Sequence, residues 1–196
     1  MDVIDHLAGL APDSPLALIR DRKPITREQA QASYAALFEP NDTSQMSLEE
    51  RFALAAFTAG LHVQDAIAAF YARTLPAPLQ AAMKTEAEKA RTTGPYGHYP
   101  KGPLTAEDLP GPAYTAPAPL GPRLSAAMEH VHMLVFHPRE RQERSPARGL
   151  RILGAQPDGA RNGCHRLAEV RQCAEACARF RIAIQLAFRD REPAVR

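Results

Sequence analysis

Three histidines that follow Glu129 are the densest group of side chains able to move protons. Histidine is the usual proton carrier near neutral pH, and His130, His132 and His137 lie close together in the chain. Residues two helical turns apart share a face, so we expect His130 and His137 to converge while His132 points elsewhere. Two converging ligands do not make a metal site. The simpler interpretation is a helix end at which His137 stabilises the C-terminus.

A second candidate for acid–base chemistry is His62, in a Gly-Leu-His sequence that ends or briefly breaks a helix. Glu50 and Asp65 lie nearby in sequence, as a proton relay would need. A lone histidine at a helix break is more often structural, and Glu50 is most simply a helix-cap residue. No catalytic residue is identified outright, and the candidates are His62, Glu50 and His130.

The three cysteines lie late in the chain, next to a fourth residue that could bind metal. Cys173 and Cys177 would face the same way on a helix, in a geometry that suits a disulfide poorly. Together with Cys164 and His165 they could form a zinc site, but the spacing matches no usual zinc pattern. We therefore expect no metal and no cofactor, and unpaired cysteines are the simpler interpretation.

Helices must position these residues, because apolar side chains recur at helical spacing and no convincing strand pattern occurs. The predicted fold class is all-α. Ser47 followed by Glu50 predicts a capping box, the strongest helix start in the chain. Ser14 before a proline predicts another start. A third start is predicted at Thr26, with Gln29 completing its capping box.

Two features of these helices bear on packing. The many alanines between residues 52 and 59 imply close contact between helices. Segment 79–91 is predicted as an amphipathic helix with one solvated, charged face. That face carries Lys84, Glu86, Glu88 and Lys89.

A long loop, residues 92–122, separates this helix from the predicted helix 123–136. Its proline and glycine content excludes a long helix or a central strand. Tyr96, Tyr99 and Tyr114 indicate that the loop packs onto the domain as an ordered cover. These tyrosines are most simply packing anchors, although they could also line a pocket.

The composition of the 196 residues divides the chain near His137. The net charge of +2 is too small to predict a nucleic-acid or membrane partner, and no apolar run is long enough to span a bilayer. The N-terminus lacks the pattern of a signal peptide, so a cytoplasmic protein is expected. Residues 138–196 contain no lysine but 13 of the 20 arginines. We predict a helical domain over residues 1–137 and an Arg-rich tail over 138–196 that is partly helical or disordered.

Several motifs together resemble the carboxymuconolactone decarboxylase and alkylhydroperoxidase D-like superfamily, in the branch known as CMD domain proteins. The resemblance covers roughly residues 1–139 and includes Leu48-Glu-Glu-Arg-Phe-Ala-Leu-Ala-Ala-Phe, Gly94-Pro-Tyr-Gly-His-Tyr-Pro and Glu129-His-Val-His-Met-Leu-Val-Phe-His-Pro-Arg. It implies an alkylhydroperoxidase D-like helical bundle that forms homo-oligomers through its helices. It also implies peroxide or lactone chemistry on a small-molecule substrate.

Redox members of that superfamily carry a glutamate, then Cys-x-x-Cys, then a histidine. This chain has Gln64 and Ile67 near the cysteine positions, and Phe70 or Tyr71 near the histidine. None of these can perform thiol chemistry. The expected function is therefore a peroxidase-related oxidoreductase or a lactone decarboxylase-like lyase without the usual thiol pair. The alternative is a non-catalytic helical subunit or binding partner of an active relative.

The tail does not resemble the further apolar helices that the superfamily implies. High-GC genes read out of frame give Arg-, Ala-, Pro- and Cys-rich sequence without lysine, as here. One hypothesis is a shifted reading frame from about Arg139, and the other is a natural tail with a separate role. Translation of the neighbouring frames decides between them, since a shifted frame requires a family-like apolar segment in one of them.

Overall fold

The computed structural model describes residues 2–44, 46–99 and 101–138, and this part of the chain is helical. The described residues form seven α-helices and two short 3-10 turns, with one isolated bridge between Gly97 and Leu109. The all-α prediction is confirmed for them. Within these ranges no helix is long and apolar enough to cross a membrane.

Two compact units are present within the described residues, 2–42 and 43–138. The first contains α1 (Val3–Leu7), α2 (Pro15–Asp21) and α3 (Pro24–Phe38). The second contains α4 (Leu48–Leu61), α5 (Asp65–Ala72), α6 (Ala77–Ala90) and α7 (Pro122–Phe136). The predicted boundary near residue 137 and the Arg-rich tail lie at and beyond the end of the described residues.

Local signals set most helix starts in the first unit. Ser14 caps α2 by accepting a hydrogen bond from the amide of Ala17 at 3.2 Å, as predicted. The predicted capping box at Thr26 is wrong, because α3 begins two residues earlier, at Pro24. Proline at the first helical position has a preset φ and lacks the amide hydrogen that would otherwise need a partner.

Ion pairs join the three helices of the first unit. Asp2 caps α1 and also accepts hydrogen bonds from Arg20 of α2 at 3.0 Å and from Arg27 of α3 at 3.2 Å. Asp5 accepts from the same two arginines, in the case of Arg20 at 2.6 Å. These carboxylates are largely buried, so their hydrogen bonds contribute more than an exposed pair would.

In the second unit the capping box at the start of α4 is confirmed. Ser47 accepts from the amide of Glu50 at 3.2 Å, while the Glu50 carboxylate accepts from the Ser47 amide at 2.8 Å. Arg123 of α7 donates to the same carboxylate at 2.8 and 2.5 Å. Glu50 therefore fixes both the start of α4 and the contact between α4 and α7.

Alanine and glycine bring α4 and α6 close together. A Cβ added to Gly60 would lie 2.6 Å from the Cβ of Ala87. Larger apolar side chains fill the space around this contact. The largest that are fully buried are Tyr71, Phe57, Met83 and Met128.

The turn between α4 and α5 is a Schellman motif with an unusual residue in it. The amide of Val63 donates to the carbonyl of Gly60, and that of Gln64 donates to the carbonyl of Ala59, each at 3.0 Å. Val63 occupies the position that glycine usually takes, at a φ of 59°. Arg91, just after α6, donates to the same Gly60 carbonyl at 2.7 Å and so connects this turn to the end of α6.

Candidate functional site

The last turn of α7 brings two histidines together in the second unit. The ring centroids of His132 and His137 are 5.9 Å apart, and both side chains are buried. The expectation that His132 points away from His137 is wrong. It assumed a continuous helix, whereas α7 ends at Phe136 and the backbone of His137 leaves it with φ −120° and ψ 52°.

His132 is held against the end of α6. Its Nε2 lies 3.1 Å from the carbonyl oxygen of Ala90, and because a carbonyl only accepts, that nitrogen carries the proton. Tyr114 and Phe136 pack against the ring, with centroids at 5.3 and 4.9 Å. Burial lowers the pKa of His132 below its usual value, and a charge on His137 would lower it further, whereas the hydrogen bond to Ala90 opposes the shift.

His137 makes the matching contact with the long loop. Its Nε2 donates to the carbonyl of Pro112 at 3.0 Å, and the ring of Tyr96 packs against it at 5.3 Å. The loop and α7 also share a backbone hydrogen bond of 2.7 Å, from the amide of Tyr96 to the carbonyl of Phe136. His132 therefore donates to the last residue of α6, just before the loop, whereas His137 donates to the loop itself.

That loop segment, residues 91–99 and 101–121, is called the cover segment from here on. The backbones of Gly97 and Leu109 pair within it at 2.8 and 3.2 Å, and Asp108 accepts from the amide of Tyr99 at 2.7 Å. Tyr96 lies directly on Gly111, where a Cβ would come within 2.2 Å of the ring. These contacts agree with the prediction of an ordered cover anchored by tyrosines.

A buried carboxylate completes the cluster. Glu86 of α6 is only 7% exposed, so its predicted place on the solvated face is wrong. The hydroxyl of Tyr114 donates to Glu86 at 3.0 Å, and Lys89 pairs with its other oxygen at 2.7 Å. The sequence does contain a signal for this burial, since Glu86 falls at helical spacing with Met83 and Ala90, both buried.

Tyr114 links the carboxylate to the histidines. Burial raises the pKa of its hydroxyl far above the usual value, and the hydrogen bond to Glu86 and the charges of Glu86 and Glu129 act in the same direction. The phenol therefore stays protonated at neutral pH. A protonated phenol, a carboxylate and a neutral imidazole thus lie side by side, a set able to donate and accept protons.

The three candidates named from the sequence occupy other places in the second unit. Glu50 belongs to the cap of α4, and the hydrogen bond from Arg123 lowers the pKa of its carboxyl below the usual value. His62 is the C-terminal cap residue of α4, and Gln64 donates to its carbonyl at 3.4 Å. His130 lies on α7 with its side chain partly buried.

The two positions that the resemblance pairs with redox cysteines carry side chains without a thiol. Gln64 precedes α5 as its N-cap residue, and Ile67 is buried in the core. Cys164, His165, Cys173 and Cys177 lie outside the described residues. Within the described ranges, no group of three or more His, Cys, Asp or Glu side chains could hold a metal ion.

Comparison with family models, with curated proteins and with solved structures finds no match to this chain. The functional argument therefore rests on the residues and their geometry. In the described part of the chain, the cluster formed by Glu86, Tyr114, His132 and His137 is the arrangement best suited to acid–base chemistry.

Proposed function

We propose that this protein is a helical enzyme related to the carboxymuconolactone decarboxylase and alkylhydroperoxidase D-like proteins, and that it uses acid–base rather than thiol chemistry. The reaction that fits is that of a lactone decarboxylase-like lyase acting on a small molecule. The observation that supports it best is the partly buried Glu86–Tyr114 hydrogen bond of 3.0 Å beside His132.

The carboxylate of Glu86 is unusual because it is buried. An ionised group away from water is unfavourable unless it is paired and hydrogen-bonded, and Glu86 has both Tyr114 and Lys89 as partners. Tyr114 is half-buried on the cover segment, and in this proposal the substrate approaches its hydroxyl from the edge of that segment. The Tyr114 hydroxyl donates its proton to the carbon that loses carbon dioxide, a proton from solvent water restores the phenol, and the Glu86 carboxylate orients the hydroxyl.

A thiol peroxidase is a second function that the resemblance implies, and the described residues support it less well than the lyase. Peroxide reduction by that route needs an activated thiolate and a second thiol close by. Gln64 and Ile67 supply neither, and the described residues include no cysteine. A peroxidase-related oxidoreductase would therefore have to use Cys164, Cys173 or Cys177.

One observation favours the alternative, a non-catalytic helical subunit or binding partner of an active relative. The Nε2 atoms of His132 and His137 are both engaged with backbone carbonyls, and Glu86 is held by two side chains. Such contacts hold the cover segment in place whether or not a reaction occurs. The distinction between the two proposals therefore requires a measurement of turnover.

The test compares two reactions of the purified full chain. Release of carbon dioxide from a carboxylated γ-lactone reports the lyase, and consumption of an organic hydroperoxide with a dithiol reports the peroxidase. Tyr114→Phe and Glu86→Gln should lower lyase turnover about 100-fold or more. Glu88→Gln, an exposed neighbour on α6, is the matched control and should leave it unchanged.

Three outcomes distinguish the acid–base lyase, the thiol peroxidase and the non-catalytic subunit. Lyase activity that is unaffected by Tyr114→Phe contradicts the acid–base proposal. Peroxidase activity that disappears in a variant with all three cysteines changed to serine supports a thiol mechanism in the tail. Activity in neither assay supports the non-catalytic subunit.

We further propose a homo-oligomer, as the resemblance implies. Four large apolar side chains of the first unit are more than half exposed, which is consistent with association of copies. They are Leu16, Leu18, Ile19 and Ile25. Light scattering of the purified chain tests this, and a monomeric mass over the working concentration range contradicts it.

A further inference from the structure

We propose that His132 and His137 form an acid-sensitive clasp that releases the cover segment when the pH falls below neutrality. The clasp is defined by two contacts with the cover segment: the ring of His132 packs against Tyr114 at 5.3 Å, and His137 donates to the carbonyl of Pro112. Because Tyr114 lies on the cover segment and Glu86 on α6, opening would separate the two side chains, whichever reaction occurs there.

Burial is the first reason that protonation opposes the closed state. His132 is 3% exposed, so a positive charge added to its ring would be held away from water. The rings are 5.9 Å apart, and two imidazolium groups at that separation repel each other. With the cover segment detached, Tyr114 would no longer cover the ring of His132, and that ring would face water.

The hydrogen bonds of the two histidines alone would not make the closed state sensitive to acid. A protonated imidazole still donates from Nε2, so the contacts with Ala90 and Pro112 remain possible in the charged form. The hydrogen bond to Ala90 in fact favours the charged form of His132. Burial outweighs it, and the net direction for the pKa of His132 is downward.

The surrounding groups are compatible with the clasp. The rings of Tyr96 and Tyr114, both on the cover segment, pack against the two histidine rings. Glu86 of α6 is engaged with Tyr114 and Lys89, and Glu129 of α7 accepts from the amide of Ala116 at 3.2 Å. These carboxylates already have partners, so their charges are partly compensated.

The direction of the pH effect follows from proton linkage. A histidine whose pKa is lowered in the closed state leaves the open state binding more protons below about pH 6.5. The closed state is therefore most stable, relative to the open state, above about pH 6.5. Its stability relative to the open state decreases as the pH falls below that value. For one histidine, the opening equilibrium should rise up to about 30-fold between pH 7.5 and 5.0.

Amide hydrogen exchange of the full-length protein, without substrate, measures this opening. Peptides that contain Tyr96 report it, because its amide donates to the carbonyl of Phe136 in α7 only while the segment is closed. Gly97 and Leu109 pair with each other within the segment, so their amides report whether the segment also loses its own structure. Exchange times are corrected for the intrinsic pH dependence of amide hydrogen exchange. Helix α4 serves as the internal reference, and its protection should change much less than that of the cover segment.

His132→Gln and His137→Gln, made separately, should each weaken the pH dependence of cover-segment exchange. His98→Gln is the matched control, because His98 is an exposed histidine of the same segment, 3.1 Å from Asp108. It should retain the acid-induced rise. Should His132→Gln fail to fold, His137→Gln and the pH titration of the ring protons of His132 in the unchanged protein provide the same test.

Two results would overturn the clasp. One is cover-segment exchange that stays constant, after rescaling, between pH 7.5 and 5.0 in the unchanged protein. The other is an acid-induced rise that persists in both glutamine variants. Because no substrate is present, either result leaves the proposed lyase activity to be judged by turnover alone.

Discussion

Gly60 and Ala87 face each other so closely that a methyl group on Gly60 would lie 2.6 Å from the Cβ of Ala87. Two Cβ atoms cannot occupy that separation, and neither can rotate away. The backbones of α4 and α6 therefore approach each other only because residue 60 has no side chain. The stability of the second unit should depend strongly on this one position.

Gly60→Ala should destabilise the protein by about 1–3 kcal/mol, although alanine is the better helix former. The added methyl must push α4 away from α6 and disturb the core packing around Ala87. Urea denaturation followed by circular dichroism measures the change. The double variant Gly60→Ala with Ala87→Gly should recover part of the loss, and strictly additive effects would contradict the contact.

Val63→Gly should stabilise the protein by about 1 kcal/mol. A β-branched residue at a φ of 59° is strained, and glycine adopts this conformation without a steric penalty. The side chain of Val63 is 60% exposed, so little packing is lost. Thermal unfolding compares it with Val63→Ala, which removes the same methyl groups but keeps a Cβ. Equal stability of the two variants would rule out backbone strain as the cause.

Glu50→Gln should lower stability by about 1 kcal/mol at pH 7, through the capping box and the contact with Arg123. The hydrogen bond from Arg123 lowers the pKa of Glu50 in the folded state below the value of 4.5 for the free group, and that from Ser47 acts in the same direction. The stabilisation is therefore present above pH 4.5 and is lost as the pH falls through the folded-state pKa.

Chemical denaturation of Glu50→Gln at a series of pH values measures this. The difference from the unchanged protein should shrink as the solution is acidified towards pH 3, a range set by the carboxylate titration. Glu49→Gln is the control, since Glu49 is exposed at the same helix start. A difference that stays constant over the whole pH range would contradict the ion pair.

Asp2→Asn should weaken the first unit selectively. Asparagine keeps the ability to cap α1, but it cannot form the ion pairs with Arg20 and Arg27. The expected loss is about 1–3 kcal/mol. Hydrogen exchange of α1, α2 and α3 measures it, with the exposed Asp13→Asn as control. Faster exchange confined to α4–α7 would be inconsistent with the network.

How much of the structure the sequence predicts depends on how far apart the interacting residues lie along the chain. The cap at Ser47 and Glu50 is predictable because both partners lie within one helical turn. The start of α3 is misplaced because Pro24 and Thr26 carry competing signals a few residues apart. Glu86 is misplaced because its partner Tyr114 comes from a distant loop, although its helical register with Met83 indicates a buried position.

The same reasoning explains the histidines. The spacing of His132 and His137 is compatible with a helix. The contact between their rings, however, depends on the backbone turning at His137, immediately after Phe136. That turn is fixed by tertiary contacts with Tyr96 and Pro112, which no local pattern encodes. The candidate site is therefore built from residues that the sequence highlights, but in a combination that only the fold reveals.

The left-handed backbone of Val63 has a consequence at the level of the gene. Valine and glycine codons differ only in their middle base, so a single nucleotide change converts one into the other here. Random mutagenesis followed by selection for heat resistance should therefore recover this substitution early and repeatedly. Among the residues that the structure describes, Val63 is the one non-glycine residue at a positive φ, so no other single substitution there offers the same relief of strain.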